Sequence, residues 1–272
     1  MTRFDHYPAG VPCFVETFSP DLDAARRFYD GIFGWKFDGP GQMPTDPPGQ
    51  YWVARARGAE VAGIGSLPTP DTPIAWNTQV AVDDVDASTR LARDAGATVI
   101  VEPIDAPPAG RLAVVADPAG AAITLWQAGV RQGAAIVNEP SAWAMSLLAT
   151  PEPERAAAFY RDVFGWRTEP FADAGPGVSL FRLPGYVGGE AEQPVPRDVV
   201  AAMAAVPDPN APAAWSVDFW IADADAAADA APGLGGSVVA PPHDAPPFRR
   251  AVLAAPDGAT FTVSQLRPWA GP

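Results

Sequence analysis

Few side chains in this 272-residue chain can do chemistry beyond proton transfer. There is one cysteine, Cys13, and there are two histidines, His6 and His243. A lone cysteine allows no intrachain disulfide. No histidine stands at a spacing that would make Cys13 a nucleophile. No serine sits in a G-x-S-x-G elbow. Gly233-Leu234-Gly235-Gly236 does not follow a strand and open a capped helix, so it is not read as a phosphate loop. His243 adjoins Asp244, but in a Pro-flanked stretch the pair reads as solvated. The carboxylates remain. Glu16 has Phe14 and Phe18 two residues to either side, on the same face of a strand. Apolar neighbours raise a carboxyl pKa, which suits a general acid or base. Asp218, between Ser216 and Trp220, is the second candidate. A structural Glu16, paired with a strand arginine such as Arg55 or Arg111, is the competing expectation.

The charge balance excludes some partners. Eighteen Lys and Arg against 32 Asp and Glu give a net charge of −14. Such a surface repels phosphate backbones, so nucleic acid is not an expected partner. Apolar residues make up 48% of the chain and aromatic residues 10%, enough to build packed cores. The first residues, Met-Thr-Arg-Phe-Asp-His, show no apolar signal region. No apolar run approaches the roughly 20 residues that span a bilayer. The expectation is a cytoplasmic protein, a monomer or homodimer, that meets small molecules and not membranes.

The elements that must position these residues occur twice. Residues 28–35 read FYDGIFGW and residues 159–166 read FYRDVFGW. Ser19-Pro20-Asp21 precedes the first copy and Thr150-Pro151-Glu152 the second. Downstream, WNTQVAVDDVD (76–86) parallels WSVDFWIADAD (215–225), and DPAGA (117–121) parallels APDGA (255–259). Four landmarks in one order indicate a tandem duplication, with domains at 1–130 and 138–272 and a linker over 128–140. Ser19 and Thr150 are expected N-caps, each followed by a first-turn proline. Gly34 and Gly165 are placed to end the helices. Each half reads strand, helix, strands, then the same again. Loops are expected at 38–50, 103–110, 184–198 and 241–248.

This pattern resembles the vicinal oxygen chelate superfamily, which groups glyoxalase-like, bleomycin-resistance-like and dioxygenase-like proteins. The resemblance implies an α+β fold of tandem domains. Each domain would be two βαβββ modules curled into a half-barrel around a cavity. It also implies three metal-ligand positions per domain. Here they hold Phe14, Asn77 and Thr124 in the first half, and Met145, Ser216 and Thr262 in the second. None is His, Cys, Asp or Glu, so no metal and no other cofactor is expected.

If those positions face inward, strand alternation selects the rest of each lining. The first cavity gains Glu16, Phe18, Gln79 and Trp126. The second gains Trp143, Asp218 and Trp220. Trp35, Trp166, Tyr29 and Tyr160 are read as core. The expected activity is metal-free binding or sequestration of a small aromatic or hydrophobic molecule, as in resistance-like relatives. The alternative is a metal-independent isomerase, cyclase or lyase with Glu16 or Asp218 as acid–base group. A metal-dependent glyoxalase, dioxygenase or hydroxylase ranks lower. A purely structural role predicts collapsed pockets filled by Trp and Met.

Overall fold

A computed structural model describes residues 4–188 and 196–267. The first half forms one eight-stranded sheet from β1 (Pro12–Ser19), β2 (Lys36–Gln42), β3 (Gln50–Ala56), β4 (Ala59–Ser66), β5 (Trp76–Ala81), β6 (Thr98–Ala106), β7 (Gly110–Ala116) and β8 (Ala122–Ala128). Helices α1 (Leu22–Phe33) and α2 (Val85–Asp94) follow β1 and β5. The second half repeats the pattern with β9 (Trp143–Thr150), β10 (Arg167–Pro170), β11 (Val178–Arg182), β12 (Val199–Ala205), β13 (Ala214–Trp220), β14 (Ser237–Ala245), β15 (Phe248–Ala254) and β16 (Thr260–Leu266). Its helices are α3 (Pro153–Phe164) and α4 (Ala224–Ala230).

The strand orders are β2-β3-β4-β1-β5-β8-β7-β6 and β10-β11-β12-β9-β13-β16-β15-β14. Each is a pair of βαβββ modules joined where their first strands pair antiparallel, β1 with β5 and β9 with β13. The expected α+β architecture of two curled sheets is therefore present.

The helices form where the apolar spacing demands them. Ala25, Phe28, Tyr29 and Phe33 fall on one face of α1 and are buried, as a 3.6-residue period requires. Gly34 ends the helix at φ +71°, and Gly165 ends α3 at φ +75°. Both are left-handed conformations that favour glycine. The N-caps differ from expectation. Asp21 caps α1 by accepting from the Ala24 amide. Ser19 Oγ and Thr150 Oγ1 instead accept from the Asp21 and Glu152 amides, closing turns just before the helices. The helices consequently start two residues later.

β2 runs into the stretch expected as a loop at 38–50, and β10 follows the end of α3. They are exposed edge strands, mostly without an alternating pattern, so periodicity carries no signal for them. Strand structure also runs into the stretches expected as loops at 103–110 and 241–248. The expected loop at 184–198 falls partly on 189–195, outside the described residues.

The two sheets share their cores crosswise. Phe28, Tyr29, Phe33, Trp35 and Trp76 of the first half pack with Phe219, Phe261 and Val263 of the second. Phe159, Tyr160, Phe164, Trp166 and Trp215 pack with Val80, Val115, Ile123 and Leu125. Rings meet closely, with centroids 4.9 Å apart for Trp76–Phe219 and 5.1 Å for Phe33–Phe219. Burying each such ring contributes about 1.5–3 kcal/mol. Several polar groups inside this core are paired. Trp76 Nε1 donates to Tyr29 Oη and Trp215 Nε1 to Tyr160 Oη, and Tyr160 Oη donates to Asp117 Oδ2 of the other half at 3.0 Å. Thr78 and Ser146 hydroxyls meet at 2.6 Å between the two central strand pairs. The helix-bearing faces are thus spent on joining the halves. Strand alternation then turns Phe14, Glu16, Gln79, Met145 and Asp218 to the opposite, concave faces.

Candidate functional site

Register decides which of the candidate residues meet. Across β1, β5 and β8, Phe14 pairs with Gln79 and Gln79 with Thr124. Across β9, β13 and β16, Met145 pairs with Asp218 and Asp218 with Thr262. Asn77 and Ser216 stand one row away, opposite Glu16 and Leu147. The central rows therefore hold Phe, Gln, Thr and Met, Asp, Thr.

The first concave face is filled by its own side chains. Phe14, Glu16, Gln79, Thr124 and Trp126 are all buried, while Phe18 and Asn77 are half-buried. Glu16 Oε2 accepts from Tyr51 Oη at 2.6 Å. The expected partners are otherwise engaged: Arg55 with Asp38 and Glu60, Arg111 with Asp86 and Asp105. Gly63 lies opposite Glu16, and a Cβ there would sit 1.9 Å from the Tyr51 hydroxyl. Absence of a side chain at 63 is what admits the Tyr51 ring.

The segment after β8 then covers this face. Arg131 places its guanidinium carbon 5.1 Å from the Tyr51 ring centroid and 5.9 Å from that of Phe14. Its carbonyl accepts from Trp126 Nε1 at 3.1 Å. Further on, the Ala134 amide donates to Cys13 O at 2.7 Å, and Tyr7 Oη donates to Ala134 O. Burial pushes the Glu16 carboxyl above its ordinary value, against the lowering effects of Tyr51, Gln79 and nearby Arg131.

The second concave face is more open. Met145, Ser216, Asp218, Trp220 and Thr262 are only partly buried, although Trp143 is buried. Asp218 Oδ2 accepts from Arg250 Nη2 at 2.6 Å and from Ser264 Oγ at 2.7 Å. Arg250 Nε donates to the same Ser264 oxygen at 3.0 Å. Burial raises the Asp218 pKa, opposed by Arg250 and Ser264. Trp220 and Phe248 rings lie 5.9 Å apart at 47° beside this cluster. A cleft of about 530 Å³ elsewhere, beside Ser19, Asp21, Gln50 and Ser66, is open and lined by groups that already cap α1 and its approach.

Sequence reading missed Tyr51, Arg131, Phe248 and Arg250. A signal for two of them lay in the repeat. GRLAVVA (110–116) aligns with FRRAVLA (248–254), which sets Gly110 against Phe248 and Leu112 against Arg250. A charge replacing leucine on an inward position of a repeat marks divergence at a site.

The architecture and its two concave faces are those of a glyoxalase-like protein. Residues 14–126 and 145–264 each match the glyoxalase-like domain family, and the chain belongs to it. The chain is 37% identical to "Putative glyoxylase CFP32" of Mycobacterium bovis over 272 residues, covering 98% of this chain and 99% of that one. It is 34% identical to "Anthracycline biosynthesis protein DnrV" of Streptomyces peucetius, covering 98% and 96%. Among solved structures, the Mn(II)-bound glyoxalase of Novosphingobium aromaticivorans superposes with a TM-score of 0.64 at 18% identity, covering 97% of this chain and 83% of that chain. That likeness, within the vicinal oxygen chelate superfamily, is one of fold.

The residues here do not fit the metal that some of these folds carry. The two central rows offer one carboxylate between them, Asp218, already held by Arg250 and Ser264. Among the described residues no three His, Cys, Asp or Glu side chains gather where they could hold an ion. Neutral hydroxyl, amide and thioether groups are poor ligands for a transition metal. Among the described residues, no helix is long and apolar enough to cross a membrane.

Proposed function

We propose that this chain is a metal-independent small-molecule-binding protein whose working site is the second concave face. The observation that carries this reading is the Asp218–Arg250–Ser264 cluster. It stands beside the Trp220–Phe248 pair on a face that stays partly open. Aromatic walls with a few convergent polar groups are the usual lining of a small-molecule site. The ligand class is a flat apolar or aromatic compound, for which exposed ring faces are suited. A relative named for anthracycline biosynthesis supports a fused-ring ligand. In this reading the first face acts as a packed core, and Glu16 holds Tyr51 instead of meeting a ligand. Phe14, Phe18, Gln79, Thr124 and Trp126 then contribute stability, while Met145, Ser216, Trp220 and Thr262 contribute contacts.

The test is a titration of tryptophan fluorescence with a panel of flat aromatics (anthraquinone, flavone, naphthalene derivatives) in the presence of EDTA. The expected result is saturable quenching that EDTA leaves unchanged and that Trp220→Ala weakens about tenfold or more. Binding that appears only on adding a divalent metal, or no binding across the panel, overturns it.

A further inference from the structure

The carboxylate at the centre of the second face is only half satisfied. Asp218 Oδ2 takes two donors, Arg250 Nη2 and Ser264 Oγ. Oδ1 is buried and has no hydrogen-bond partner among the described residues. A carboxylate oxygen has two lone pairs, and a buried acceptor without a donor is unfavourable. On Arg250, Nε and Nη2 are engaged. Nη1 donates to none of the described residues, and the side chain is 38% exposed. A bare acceptor and a free donor thus sit on two side chains already bonded to each other. In the first sheet Gln79 Oε1 is likewise buried without a partner, but Leu112 and Trp126 occupy the places of Arg250 and Ser264, so no charged donor stands beside it.

The charge of the pair narrows the ligand further. Aspartate and arginine cancel, so the cluster has no surplus positive charge to attract an anion. The bare carboxylate oxygen also repels one. A neutral molecule with a donor next to an acceptor is complementary to both groups at once. Resting on the binding reading above, we infer that the second concave face selects a flat aromatic with an N–H beside a carbonyl oxygen, the pattern of a fused-ring lactam, whose ring geometry keeps the donor from bonding its own carbonyl. Its N–H donates to Asp218 Oδ1, and its carbonyl accepts from Arg250 Nη1. Its rings lie along Trp220 and Phe248. The ligand enters from the side where Met145, Ser216 and Thr262 stay partly open and displaces the side chains that cap Oδ1.

The experiment compares 6(5H)-phenanthridinone, its N-methyl derivative and phenanthrene by fluorescence titration of the full chain. The proteins are wild type, Asp218→Asn and Arg250→Met, with circular dichroism to establish that each variant is folded. The N–H compound is expected to bind about tenfold or more tighter than the N-methyl compound, because a site built for a donor rejects the analogue lacking it. That preference collapses in Asp218→Asn. Arg250→Met, or Arg250→Lys where the former does not fold, weakens both lactams towards phenanthrene. Equal binding of the N–H and N-methyl compounds to wild type overturns the ligand class and leaves the binding reading standing. No binding of any of the three overturns both.

Discussion

Glu16 and Leu147 stand at the same place on the leading strands of the two sheets, one opposite Gly63 and the other opposite Ala202. Nearby, Gln79 corresponds to Asp218, Ala81 to Trp220, Leu112 to Arg250 and Trp126 to Ser264. The backbone path is shared, but the polar focus has moved from one module of the half-barrel to the other. In the first sheet the carboxylate sits on β1 beneath Tyr51, and the β8 position is filled by a tryptophan that also holds Arg131 O. In the second sheet the carboxylate sits on β13, and the β16 position is a serine that leaves room for an arginine. A duplicated fold can spend one cavity on packing and keep the other accessible, since function resides in the site and not in the fold.

This contrast can be broken experimentally. The largest effect is expected for Phe14→Ala, which empties a fully buried position and costs about 3–5 kcal/mol. Met145→Ala, at the equivalent and partly exposed position, costs less than half of that. Urea denaturation of both variants measures the difference. Equal losses would mean that the second face is as tightly packed as the first. Next comes Gly63→Ala, whose new methyl meets the Tyr51 ring. Overpacking of this kind costs about 1–3 kcal/mol, although the second sheet carries alanine at the matching position 202. Arg250→Met removes a charged partner from Asp218 and is expected to cost about 1–2 kcal/mol, reduced by the exposure of the arginine. Its deficit shrinks as pH falls and Asp218 takes up a proton.

The smallest effect is a change of slope. The folded state holds Glu16 above the ordinary glutamate value, so it binds more protons than the unfolded state once pH exceeds that ordinary value. Stability from the protonated form is complete below the unfolded pKa and is lost as pH rises through the folded one. Glu16→Gln removes this titration. Its melting temperature relative to wild type is expected to rise between mildly acidic and neutral pH. A difference that stays constant with pH would show that Glu16 is ionised throughout, held by Tyr51 and Arg131.

Much of this was legible in the residues. The burial of Glu16 between two phenylalanines, the core positions of Tyr29, Tyr160, Trp35 and Trp166, and the shared face of Met145 and Asp218 all follow from alternation and helical spacing. The partner of Glu16 was not legible, because Tyr51 is brought to it by β3 and β4 from the far side of a helix. The N-caps were misplaced because Ser19 and Asp21 compete for the same turn, and only backbone geometry shows which side chain reaches which amide.

The sequence by itself determined the two-copy architecture. Aromatic and glycine landmarks recur in order, and the periods they impose are local properties of the chain. It also determined what stands at the positions where the family resemblance implies metal ligands: Phe14, Asn77 and Thr124 in one half and Met145, Ser216 and Thr262 in the other, none of them a usual transition-metal ligand. Only the tertiary structure decided which concave face stays open. That outcome depends on contacts between residues more than a hundred positions apart, such as Ala134 with Cys13 and Tyr7 with Ala134. It depends too on whether side-chain volumes from several strands sum to fill a space. Neither quantity is carried by any single stretch of residues.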